Sequence, residues 1–198
     1  MEIQTRFMPA AIRVQHGVER ERQIAVALRE QAGLPIVDSS PEDDKEYAKV
    51  DRWIDYPHGR VALQIKYRET GNDLLFEVFD RFHGWGDVRN KTGRDMLGIA
   101  KEYAVLMQDR RTIVMVPVAK AKDAIQTMME GAKIRWTTEG PQDLKTFRYF
   151  HRGCGLELKV IHDPRDGRPK MVAYIPADYF IAEAQAHVYK VRLPANWK

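Results

Sequence analysis

The chain has a single cysteine, Cys154, among its 198 residues. That excludes an intramolecular disulfide and a cysteine zinc site, and it points to a reducing, cytoplasmic setting. No apolar run approaches the roughly 20 residues of a membrane helix, and the N-terminus lacks the hydrophobic stretch of a signal peptide, so no membrane partner is expected. The glycines form neither a Walker-type nor a Rossmann pattern, and "GRDM" has no phosphate-loop spacing. The six histidines, among them His58, His83, His151 and His162, show no ligand spacing. Internal repeats and low-complexity segments are also missing. The composition left, 44% hydrophobic and 30% charged, is that of a globular chain, read as a single domain over 1–198. A formal charge of +4 favours a polyanionic partner.

The first strong element is "HGVERERQIAVALREQAGL", a helix with Glu21, Ile24, Ala25 and Leu28 on one face. Arg20, Arg22, Arg29 and Glu30 point to water in this reading, and Gly33 followed by Pro35 ends the helix. Asp38 to Glu46 form an acidic loop. "YAKVDRWI", the turn "YPHG" and "RVALQIKYR" predict a β-hairpin, and "LLFEVFD", Leu74 to Asp80, the third strand of a meander. After a polar loop from Arg81 to Asp95, "MLGIAKEY" predicts a short helix. "AVLMQD" and "TIVMVPV" read as buried strands, "AKAKDAIQTMMEGAK" as a helix, and "GLELKVIHD" with "KMVAYIPADYF" as a further hairpin. The order describes an α/β (α+β) domain with a mixed sheet flanked by helices, plus a C-terminal β-hairpin extension.

Alternation in "VALQIKYRE" puts Val61, Leu63 and Ile65 on one side and Ala62, Gln64 and Lys66 on the other. With Tyr56 to Gly59 as the hairpin loop, Asp55 faces Arg60, Trp53 faces Ala62 and Asp51 faces Gln64. Directly opposed residues share a face about 5 Å apart. The same register puts Val50 opposite Ile65 and Ile54 opposite Val61 on the apolar face, where Arg52 opposite Leu63 is the one misfit. Asp51, Gln64 and Lys66 then form one polar cluster. A hard cation such as Mg²⁺ takes oxygen ligands, which the Asp51 carboxylate, the Gln64 amide and the Ile65 carbonyl can supply. Lys66 would orient or deprotonate an attacking water. Asp, Gln and Lys are also ordinary residues of a solvated strand face.

The arrangement resembles the PD-(D/E)xK nuclease superfamily, whose core is a helix, a three-stranded meander, a helix and a further strand. "ERQIAVAL" looks like the opening helix of archaeal Holliday-junction resolvases, "VDRWI" supplies Asp51, and "LQIKYR" supplies Gln64 and Lys66. The QxK form is similar to that of methylated-DNA restriction endonucleases. The resemblance covers about residues 14–118 and leaves 119–198 as the extension. It implies a restriction-endonuclease-like core and a Mg²⁺-dependent nuclease, with Mn²⁺ as a substitute, that acts on DNA. Glu21, Asp51, Gln64 and Lys66 would be the catalytic set, with Glu21, Asp51, Gln64 and Ile65 on the metal. Many members dimerise, which leaves a homodimer open. Val50 replaces the motif's proline, and Gln64 replaces an acid, which leaves room for a binding module that does not cut.

Glu19 competes with Glu21 for the helix position, but Glu21 sits above Ile24, Ala25 and Leu28 on the apolar face and needs a partner there. Asp55 is the alternative to Asp51 if the register slips. Glu77 and Asp80 are candidates for supporting acids. The loop carrying His83, Trp85, Arg89, Lys91 and Arg94 has the basic and aromatic character of a DNA contact, with Arg89, Lys91 and Arg94 as its candidates.

Overall fold

The computed structural model describes residues 10–39, 50–80, 84–85, 100–107, 109, 111–131, 146–151, 154–162, 169–194 and 197. The expected helix is α1 (Ala10–Gln31), and it starts earlier than the apolar pattern does. Ile24, Ala25 and Leu28 are buried, as their spacing requires. The helix ends ahead of Gly33, whose φ of +69° is a left-handed conformation that glycine adopts without a Cβ clash. Arg20 departs from the expectation of a solvent-facing side chain. Its guanidinium lies over the Tyr67 ring and pairs with Glu69 at 2.8 Å.

The described strands build two sheets. The first has the order β1 (Ile36–Val37), β2 (Arg52–Tyr56), β3 (Gly59–Arg68), β6 (Glu102–Met107), β7 (Thr112–Pro117) and β11 (His187–Lys190). Its β3–β6 pair is parallel and the others are antiparallel. The second has the order β5 (Gly84–Trp85), β4 (Asp73–Asp80), β10 (Pro169–Pro176), β9 (Cys154–His162) and β8 (Thr146–His151). With α2 (Val118–Gly131) and α3 (Ala177–Glu183), the fold is mixed α/β. No helix among the described residues is long and apolar enough to cross a membrane.

Strands β6 and β7 are covered on both faces, which explains their unbroken apolar sequences. Tyr103, Val105, Met107, Val114 and Val116 pack into one core with α2, α3 and the second sheet. Ala104, Leu106, Ile113 and Met115 pack under α1 with Leu63 and Ile65.

The meander differs from the sequence reading. Its strands are β1, β2 and β3, with Ile36 opposite Ile54 and Val37 opposite Trp53. The Leu74–Asp80 segment leaves instead for the second sheet, where Leu75 pairs with Tyr174. Both edges of β3 are already occupied, by β2 and β6. Leu74 and Phe76 gain full burial between the sheets, with the rings of Tyr103 and Phe180 about Phe76. Glu102 and Tyr103, expected at the end of a short helix, are strand residues; Met96 to Ile99 lie outside the described residues. "KMVAYIPADYF" is strand only to Pro176, after which α3 begins. The C-terminal hairpin forms, with Pro169 opposite His162, but it is no appendage: β10 pairs with β4, and β11 borders β7.

Candidate active site

The β2–β3 hairpin has the expected register from Asp55 opposite Arg60 to Arg52 opposite Leu63, and Tyr56 and Gly59, expected in the loop, pair as well. One step further the ladder stops. Asp51 does not sit opposite Gln64 within a strand, and Val50 packs with Trp53 and Ala62 rather than on the Ile54 face. Asp51 itself accounts for the break. Its Oδ2 accepts the Ile65 N–H at 2.7 Å, taking the place of a main-chain acceptor. The same oxygen accepts from Gln64 Nε2 at 2.8 Å. In an antiparallel ladder one residue directs its N–H and C=O to the same neighbour, so the Ile65 carbonyl faces this side too.

Glu21 completes the group from α1. Lys66 Nζ lies 3.3 Å from Glu21 Oε1 and 3.6 Å from Asp51 Oδ2. The structure thus brings Glu21, Asp51, Gln64 and Lys66 together, around one ammonium shared by two acids. Gln64 is 6% exposed while the Lys66 side chain is 41% exposed, so the amide is enclosed and the ammonium reaches solvent. Burial raises the Glu21 carboxyl above its usual range, and the nearby Asp51 charge adds to this against the pull of Lys66. Asp51 is raised by burial as well, opposed by Lys66 and by the Ile65 N–H. Two acids crowded in this way bind protons, an ammonium or a metal cation more readily than solvated acids do.

Arg52, the misfit of the sequence reading, has a place here. Its Nε pairs with Asp38 Oδ1 at 2.8 Å, and its Nη1 donates to the Asp51 carbonyl. Its charge also draws both acids down. A charged residue in an otherwise apolar row was the signal that it has a partner. Glu19 stays outside the group: Arg22 and Gln23 bond its carboxylate and hold its pKa down to about 2. Asp55 pairs with Arg60 at 2.9 Å at the far end of the hairpin and does not join either. Glu77 and Asp80 lie on β4 and Trp85 on β5, whereas His83, Arg89, Lys91 and Arg94 lie outside the described residues.

Among the described residues no three His, Cys, Asp or Glu side chains form a cluster. The oxygen donors available to a cation are the carboxylates of Glu21 and Asp51, the Gln64 amide and the Ile65 carbonyl. All are hard ligands of the kind Mg²⁺ takes, so the donor set fits that ion. In comparisons with known proteins, the chain matches no family model, no curated protein and no solved structure.

A second acid was missed by the sequence reading. Glu102, at the start of β6, is half-buried with an Oε2 that has no hydrogen-bond partner, and burial pushes its pKa up to about 7. A lone charge in a mostly apolar strand was the only sequence sign of it.

Proposed function

We propose that this chain is a metal-dependent nuclease that hydrolyses DNA phosphodiester bonds, guided by DNA structure or context, on a restriction-endonuclease-like core. The observation that carries the reading is the shared Lys66 contact to Glu21 and Asp51, with Asp51 fixed on the Ile65 N–H. The order α1, then the antiparallel β1–β2–β3, then β6 parallel to β3, supports the same core.

Glu21, Asp51, the Ile65 carbonyl and the Gln64 amide oxygen would hold Mg²⁺, or Mn²⁺ in its place. Bound there, the ion would polarise the phosphodiester and lower the pKa of a water. Lys66, released from the two acids, orients that water and offsets charge on the phosphorane-like transition state. Gln64 currently turns its NH₂ to Asp51. A half-turn of the amide would set oxygen against oxygen, which is favourable only with a cation between them. The test is plasmid nicking with Mg²⁺. Activity should disappear with EDTA and in Lys66→Ala, and full cutting by that variant would remove the mechanism.

A non-cutting nucleic-acid-binding module on the same fold is the second reading. It is favoured by the cluster's self-sufficiency, since Lys66 and Gln64 already satisfy Asp51 without a metal. It requires DNA binding that is indifferent to Mg²⁺ and to Asp51→Asn.

A further inference from the structure

Beyond Lys66, β3 continues to Arg68, on the same strand face and about 6.8 Å further along. Other arginines around the hairpin are paired: Arg20 with Glu69, Arg22 with Glu19, Arg52 with Asp38 and Arg60 with Asp55. Arg68 has no hydrogen bond or ion pair with any described residue, and its Nε is closed off from solvent without an acceptor. The guanidinium lies over the Tyr174 ring, 5.3 Å from its centre, so the stack joins the end of β3 to β10. On another side is the turn at Gly71, where a methyl group would lie 3.5 Å from Nη2 and 3.9 Å from Asp73 Oδ2. Asp73 forms no ion pair with it.

A guanidinium fixed against a ring, desolvated at one nitrogen and with no paired anion among the described residues, has the form of a phosphate site. Its Nε is out of reach, but Nη1 and Nη2 are not closed off in this way, and these two terminal nitrogens form a fork that can take phosphate oxygens. The two-residue repeat of a β-strand is on the scale of the spacing between successive phosphates of a nucleic acid. We propose that Arg68, held on Tyr174, grips the phosphate next to the one presented to Glu21, Asp51 and Lys66. The substrate is then a polynucleotide strand lying along the end of β3, and not a small phosphodiester. This rests on the nuclease reading for the position of the scissile phosphate, but the Arg68 contact can be measured without cutting.

The experiment is fluorescence anisotropy of a labelled DNA oligonucleotide with the full chain in EDTA. Arg68→Ala should weaken binding about tenfold and reduce the slope of log affinity against log salt by about one. Arg68→Lys keeps the charge without the fork and should fall between. Arg22→Ala, on exposed helix, should stay within about twofold of wild type. Thermal melts establish that each variant is folded. Wild-type affinity and salt slope in both Arg68 variants would overturn the proposal, as would a wild-type chain that binds no DNA. Mg²⁺-dependent cutting by the wild type is followed in parallel. Arg68-dependent binding without cutting removes the nuclease and keeps the contact, whereas cutting with Arg68-independent binding does the reverse.

Discussion

Replacing Lys66 with methionine separates holding a metal from using one. In the described state its ammonium is 3.3 Å from Glu21 and 3.6 Å from Asp51, occupying the space between the two acids. A cation entering there must displace it. Unit charges about 4 Å apart interact by about 4 kcal/mol at an effective dielectric of 20. Lys66 is substantially in solvent, so screening brings the competition down to about 1–2 kcal/mol. Lys66→Met should therefore bind Mn²⁺ roughly 5- to 30-fold more tightly than wild type while failing to nick plasmid. The assay is isothermal titration with Mn²⁺ at about pH 8, on the alkaline side because both acids are raised, beside a nicking time course. Weaker Mn²⁺ binding by a folded Lys66→Met protein would refute the assignment of Glu21 and Asp51 as the ligands. Retained nicking would refute the role of the lysine.

Other outcomes follow from the same geometry. Because burial raises Glu21 and Asp51, Mn²⁺ affinity should fall with decreasing pH before the ordinary carboxylate range is reached, as titrations at stepped pH would show. Glu102 keeps a proton in the folded state up to about pH 7, against 4.5 for the ordinary group, so stability should decline as pH rises through that interval. Glu102→Gln should gain about 1–2 kcal/mol near pH 8, after allowance for partial solvent screening, and nothing near pH 4, by urea denaturation. Leu28→Ala, at a fully buried position on the inner face of α1, should cost about 3 kcal/mol in the same assay. Gly33→Ala should cost about 1 kcal/mol through its positive φ, with no clash since the space beside it is open.

The hairpin and its cluster were legible because the period-2 pattern of Val61 to Lys66 admits only one register with an apolar face. That Glu21 and not Glu19 lies beside Lys66 was legible for a similar reason, since helical spacing put it above Ile24 and Leu28. The end of the ladder at Asp51 was not. It depends on a side-chain carboxylate replacing a main-chain acceptor, and no periodicity encodes that. The sheet to which Leu74–Asp80 belongs was also hidden, because its alternation is the same whichever partner it finds, and that partner, Tyr174, lies about a hundred residues away. Arg68 reads in the sequence as part of a strand end, and only the position of Tyr174 gives it meaning.

The pairing of β4 with β10 has a bearing on how the molecule is assembled during synthesis. Residues 21 to 66 leave the ribosome ahead of β4, yet that strand must wait for a partner made nearly a hundred residues later. Contacts of such long range make folding slow. Until they close, Leu74 and Phe76 lack the core that buries them, so a nascent chain stalled before β10 offers those side chains to misassociation.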